Sequence, residues 1–305
     1  MKTRTPLVTA CLLAAGLLLF ACGVESIPDD SLAAPPANDS GSGSDPTDDG
    51  TQDDRAGRRV FFSFGTGAPD DPQKMKDFLV DQVQKVAAAM GKVKDPSVDS
   101  TVLLGAAAVT PASVKARLTA YAQTLGAGDT FVMYSHGHGN KSGLLLDFDA
   151  PGAGVLSWKE LAELILTLPA KNVLVFTMSC HSGTLADLLK TSEYVARWQG
   201  RRAGGRSLVV MTAVAADEVA SATDLVIGDP GGIGNPFTYA VRTALDGLAD
   251  GFSAAPTGGA ADGVTTLKEA RDYILFTSKA KAKDGQHNPQ LAGECVETER
   301  FPTAP

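Results

Sequence analysis

The chain has 305 residues, 44% of them hydrophobic and 20% charged, with a formal net charge of −8. That composition supports one full core and at most a small appendage. The acidity is local: Lys2 and Arg4 contribute +2 over residues 1–23, Glu25 and eight aspartates −9 over 24–54, and about −1 is left for the rest. A nearly neutral folded part without clustered Lys and Arg excludes a nucleic-acid surface as the basis of function.

The N-terminus reads as an export signal, with "MKTRTP" as its basic start and "LVTACLLAAGLLLF" as its apolar core. That run is short for a membrane span, which needs roughly 20 residues. The following "LFAC" resembles the bacterial lipobox, and the resemblance implies that Cys22 is lipidated and becomes the mature N-terminus. Phe20 is bulkier than the usual residue there, so secretion with Cys22 unmodified stands as the alternative. Gly23 after the cysteine implies the outer membrane in a cell that has two. Residues 22–57 hold no aromatic side chain and are rich in Asp, Ser, Gly and Pro, too little apolar surface to offset chain entropy. They predict a flexible acidic tether, and the Asp pairs lack the spacing of a calcium loop. The expected division is therefore a signal peptide over 1–21, a tether over 22–57 and one folded domain over 58–305. Of four cysteines, Cys11 leaves with the signal and Cys22 carries the lipid. Cys180 and Cys295 remain, and a single disulfide between them is open.

In the folded part, "RVFFSFG" (59–65) predicts a first strand. A helix follows over 71–91, with Asp71 as N-cap, Pro72 first and Gly91 as its stop. "TVLLGAA" (101–107) is a second strand, and Thr110-Pro111 opens a helix that ends at the glycines before 129. "DTFVMYS" (129–135) is a third strand, and "GLLLDFD" (143–149) a short extended piece. Ser157 and Glu160 stand in capping-box spacing at the start of a helix over 157–168. "NVLVFTMS" (172–179) and "SLVVMTAVA" (207–215) are strands four and five. A helix capped by Asn235 runs over 235–251, another near 266–281, and an irregular tail ends the chain. Trp158 and Trp198 read as packing residues, and "GDPGGIGNP" lacks the Lys and Ser/Thr of a phosphate loop. Continuous apolar strands alternating with helices predict an α/β fold, a mostly parallel buried sheet with helices on both faces. In such a sheet functional groups collect beyond the carboxyl ends of the strands.

Two strands end there in reactive side chains beside glycine, at "SHGHG" (135–139) and "SCHSG" (179–183). A thiol and an imidazole at neighbouring strand ends form a nucleophile and its proton partner for acyl transfer. Glycine lets backbone approach the substrate, so the N–H groups of Gly137 and Cys180 are the expected oxyanion donors. His136, His138, Cys180 and His181 also make a candidate zinc set of four N/S ligands. A binding or scaffold protein that retains the fold without catalysis is the other alternative.

A strand ending in Ser-His-Gly, then a strand ending in small-Cys-x-x-Gly, resembles the legumain/caspase superfamily of cysteine peptidases. "GLLLDFD" with "LSWKELAELI", the turn "MSCHSG", the stretch "TAVAADEVASAT" and the helix "GNPFTYAVRTAL" resemble that superfamily in the same order, over roughly residues 59–250. The resemblance implies a caspase-like α/β/α sandwich, a cysteine endopeptidase acting on peptide or protein substrates without a cofactor, and Cys180 as nucleophile. It also implies that His181, Asp217 and Glu218 bind substrate along the specificity pocket. Legumains that cut after asparagine carry an acidic residue where His181 stands, and the expected pocket acid is matched only nearby, by Asp224. No Arg stands where aspartate specificity would need one. Counted from the strand end, the catalytic histidine is His136; counted forward to Gly143 or back from Cys180, His138 fits equally well. A one-residue slip of a buried strand would turn its faces over, whereas a loop absorbs insertion, and on that ground the sequence selects His136. With the lipobox, the expected location is extracytoplasmic, anchored to the membrane by lipid.

Overall fold

The computed structural model describes residues 57–93, 98–148, 154–220, 234–253, 261–282 and 287–304. The expected signal peptide, Cys22, most of the tether and Asp224 lie outside the described residues. Strand β1 (Arg59–Thr66) shows how the sheet is built. Phe61 enters one core while Val60, Phe62 and Phe64 enter another on the opposite face, all of them fully buried. Burial on both faces is why the strand reads as an apolar run from Val60 to Phe64, interrupted only by the buried Ser63.

Strands β2 (Val98–Leu104), β3 (Thr130–Gly139), β4 (Gly143–Leu145), β5 (Val155–Ser157), β6 (Asn172–Met178), β7 (Ser207–Thr212) and β8 (Gln290–Glu294) complete an eight-stranded mixed sheet. Its main order is β2-β1-β3-β6-β7-β8, parallel throughout except for β8, which pairs antiparallel with β7. The outer end of β3 turns back into β4, and β4 pairs with β5. Helices α1 (Gln73–Met90), α6 (Pro236–Thr243) and α7 (Leu267–Lys281) cover the Phe61 face. Helices α2 (Pro111–Thr124), α3 (Trp158–Thr167), α4 (Gly183–Leu189) and α5 (Ser192–Ala203) cover the other. The fold is thus α/β with three layers. Among the described residues no helix is long and apolar enough to cross a membrane.

Local chemistry sets the boundaries. Reciprocal capping boxes start α2 (Thr110 with Ser113), α3 (Ser157 with Glu160) and α7 (Thr266 with Glu269), and the Asn235 side chain caps α6. β2 stops at Leu104 because Gly105 takes φ 78°. The helix expected over 235–251 changes to a π-helical turn at Ala244–Leu248, where Gly247 has φ 90°. Two expectations about the site's surroundings are corrected. Asp71 does not cap α1; Pro72 occupies the cap without a side-chain bond, which leaves the Asp71 carboxylate for other partners. β3 does not stop at Ser135 but runs on to Gly139, carrying both histidines inside it. Cys180 and Cys295 are free thiols, so no disulfide joins them.

In urea denaturation, Ser157→Ala is expected to cost about 1 kcal/mol, the loss of one cap. Phe61→Ala, which empties a fully buried site, is expected to cost about 3–5 kcal/mol. Equal costs would contradict a fold held mainly by the two apolar layers.

Candidate functional site

Three adjacent strands, β1, β3 and β6, end on the same edge of the sheet. The parallel register pairs Gly65 with His136 and His136 with Met178. The ladder ends there, with Ser179 and Cys180 in the turn that follows β6. The structure keeps that proximity past the end of the ladder. A Cβ built on Gly139 would lie 2.6 Å from the Cys180 carbonyl oxygen and from Ser179 Oγ, so only a bare α-carbon fits. Beyond β1, a tight turn bonds Asp71 N–H to the Ala68 carbonyl and Ala68 N–H to Asp71 Oδ2, at 3.0 and 2.7 Å. The same Oδ2 lies 2.7 Å from His138 Nε2. Asp71, His138 and Cys180 therefore stand in sequence across three neighbouring strand ends.

The Asp71–His138 bond fixes a tautomer. Burial alone would raise the Asp71 carboxyl, but the hydrogen bonds from His138 and Ala68 and the nearby charges of His138 and Lys76 outweigh it and hold it below its ordinary value. An ionised carboxylate only accepts, so Nε2 carries the hydrogen and Nδ1 is the basic nitrogen. The His138 side chain is 36% exposed, with the Phe148 ring edge-on at 5.7 Å. The β3–β4 turn just beyond it is braced by α3: Trp158 Nε1 donates to the Asn140 carbonyl at 2.9 Å, and Trp158 N–H to the Ser142 carbonyl at 3.1 Å.

His136, the sequence's choice, sits one step deeper on the same face and is 2% exposed. Its Nδ1 lies 3.2 Å from the Tyr134 hydroxyl, which in turn lies 2.7 Å from Thr238 Oγ1 on α6. Among the described residues its Nε2 is buried without a hydrogen-bond partner, and the Phe78 ring stands edge-on at 6.0 Å. Burial, helped by the charge of His138, pushes its pKa down to about 3, so the ring is neutral at ordinary pH. Gly137 lies opposite Thr66 in the β1 ladder, where a Cβ would be 2.9 Å from the Thr66 carbonyl oxygen. Gly139 differs: Asn140 and Gly143 exchange hydrogen bonds, so the next pair, Gly139 with Leu144, is not hydrogen-bonded and Gly139 directs its N–H away from β4.

Cys180 ends the run from β6 half-exposed, with Sγ 3.8 Å from the Ala220 carbonyl oxygen. His181 takes φ 57°, the sole positive φ outside glycine among the described residues. For a residue with a Cβ that conformation costs about 1–2 kcal/mol. It is held by two bonds: His181 N–H donates to the Glu218 carbonyl at 2.8 Å, and Nδ1–H to the Ala216 carbonyl at 2.9 Å. The two expected pocket acids part company. Asp217 is exposed, whereas the Glu218 carboxylate accepts from Ala215 N–H (2.9 Å), from Asn288 N–H (3.2 Å) and from the Asn288 side-chain amide. Among the described residues no group of three or more His, Cys, Asp or Glu is arranged to hold a metal ion. The four members of the zinc alternative face different partners: Tyr134, Asp71, and the carbonyls of Ala220 and Ala216.

Two residues of the site carry no functional signal in the sequence, Asp71 and Asn288. Asp71 was hidden by the helix that follows it, since Asp-Pro is an ordinary helix start. Asn288 precedes β8, an antiparallel edge strand interrupted by Gly293 at φ 81°, which carries no periodic signal.

A histidine that stays neutral when folded makes stability fall with acidification. Between pH 6.5 and about 3 the unfolded chain binds a proton at His136 that the folded chain refuses. Stability therefore drops by up to about 1.4 kcal/mol per pH unit in that window. Asp71 and Glu218, lowered in the folded state, lose their contribution only as pH falls below the usual carboxylate range, so their share lies outside pH 6.5 to 5. His136→Phe is expected to remove most of that slope in urea titrations. An unchanged slope would contradict the burial.

In fold, the chain is similar to the crystal structure of protein GSU0716 from Geobacter sulfurreducens, with TM-score 0.50 and 18% identity over 81% of this chain and 99% of that one. At that identity the likeness concerns the fold alone. No family model matches the chain, and no curated protein matches it in sequence.

Proposed function

We propose that this protein is a cysteine endopeptidase of the caspase/legumain-like kind, with Cys180 as nucleophile and His138, oriented by Asp71, as its proton partner. The observation that carries this reading is the line Asp71, His138, Cys180 across the carboxyl ends of β1, β3 and β6. The choice of His138 departs from the sequence expectation. His136 is buried, neutral and engaged with Tyr134, whereas His138 is half-exposed and backed by a carboxylate. A group that exchanges protons with thiol, leaving amine and water needs that access.

In the proposed reaction His138 Nδ1 takes the Cys180 proton and Sγ attacks the scissile carbonyl carbon. The carbonyl oxygen becomes an oxyanion facing the N–H groups of Cys180 and Gly139; with the base two places further out, the donor glycine moves with it from Gly137 to Gly139. As the tetrahedral adduct collapses the C–N bond breaks, and His138 gives its proton to the leaving amine, which leaves a thioester on Cys180. Water, deprotonated by His138, then attacks the thioester; a carboxylic acid departs and the thiol is restored. Asp71 keeps the imidazole in the working tautomer and stabilises the imidazolium. We further infer, from the lipobox resemblance, a chain lipidated at Cys22 and held outside the cytoplasm, with residues 22–57 as its tether.

Cleavage of a mixed peptide library is the test. Cys180→Ala is expected to abolish turnover with the fold intact. His138→Ala is expected to lower kcat/KM by on the order of a hundredfold or more, the scale of a lost general base, while His136→Phe at pH 8 keeps most activity. Asp71→Asn is expected to lower kcat without unfolding the chain. A Cys180→Ala protein that still cuts would refute the nucleophile, and the opposite histidine pattern would return the role to His136.

A further inference from the structure

The turn that carries Cys180 is gripped from one side by a single segment, residues 214–220. Ala216 and Glu218 supply the two carbonyls that hold His181, and the Ala220 carbonyl stands 3.8 Å from Cys180 Sγ. Gly183, which opens α4, touches the same segment: a Cβ there would lie 2.5 Å from Ala215 C and Ala216 N. The segment is itself fastened by one carboxylate. Glu218 Oε2 accepts from Ala215 N–H inside the turn and from Asn288 N–H across it, while Oε1 accepts from the Asn288 side chain. Burial favours the neutral acid there, but the N–H groups of Ala215 and Asn288 and the charge of His287 outweigh it, so the group stays ionised and acceptor-only.

We propose that Glu218 is a positioning residue rather than a substrate ligand: by clamping the 215–218 turn to Asn288 it holds the Cys180–His181 turn in its left-handed, reactive geometry. The inference rests on Cys180 being the nucleophile. It reassigns a carboxylate expected to meet substrate, because its acceptor oxygens already face three N–H groups of its own chain. It also couples the nucleophile to the segment leading into β8, an element on the far edge of the sheet.

The test measures two rates on the full chain, peptide turnover and alkylation of Cys180 by iodoacetamide followed by mass spectrometry. Alkylation reads the thiol's geometry without a peptide pocket. Glu218→Ala removes both acceptor oxygens and is expected to slow both rates by on the order of tenfold to a hundredfold, the scale of a small misplacement. The double variant Glu218→Gln with Asn288→Asp keeps an acceptor for the two backbone N–H groups and a donor–acceptor pair of the same shape between the side chains, and is expected to recover most of both. Asn288→Ala, which leaves the Ala215 bond intact, is expected to slow both by a smaller factor should Glu218→Ala fail to fold. Alkylation at the wild-type rate with only KM raised would overturn the proposal and return Glu218 to substrate binding. A folded double variant without recovery would overturn it as well. If the wild type cuts no peptide, the peptidase reading fails while the alkylation series still decides this inference.

Discussion

The close approach of Gly139 to the Cys180 carbonyl is the contact on which the site depends. Parallel strands meet by register, and the β3–β6 ladder ends at His136 and Met178, two residues short of His138 and Cys180. Beyond it nothing in a sheet obliges two chains to stay together. A bare α-carbon pressed against Ser179 and Cys180 does so here, and any side chain would force the strand ends apart. The α3 bonds from Trp158 to the β3–β4 turn hold that outer end from the other face. The site is therefore a property of the sheet's rim, built by packing.

Depth along one strand separates the roles of two identical side chains. His136 and His138 share a face and differ by one repeat of the pleat. The inner ring lies under Phe78 and beside Tyr134, where a charge is costly; the outer one has solvent on one side and a carboxylate at 2.7 Å. The inner histidine, linked through Tyr134 to Thr238 on α6, contributes to the polar packing of the layer, and that of the two only the outer can exchange protons freely follows from exposure alone.

The central strands were readable from the sequence because burial on both faces writes itself as nearly continuous apolar runs, as in Val60–Phe64 and Val173–Phe176. Helix starts were readable where side chains do the capping, at Thr110, Ser157, Asn235 and Thr266. What escaped notice has physical reasons. α4 has seven residues, too few to show a period, and β8 is an edge strand with a glycine in its middle. In sequence β3 ends early because glycine and histidine read as loop, although pairing with the β4 backbone makes them strand. Cys180 and the pair of histidines were visible as chemistry; which histidine, and that Asp71 backs it, depends on which side chains the fold buries.

The turn after β6 is a strained element held by bonds to one segment, an arrangement that presents a thiol at a fixed angle at the cost of a left-handed His181. The most direct measurement is covalent labelling of Cys180 by a peptidyl thiol-directed probe at neutral pH, compared among wild type, His138→Ala and His136→Phe. The expected result is rapid labelling at Cys180 that is lost in His138→Ala and retained in His136→Phe. Slow labelling indifferent to both histidines would contradict a thiol activated at the ends of β3 and β6.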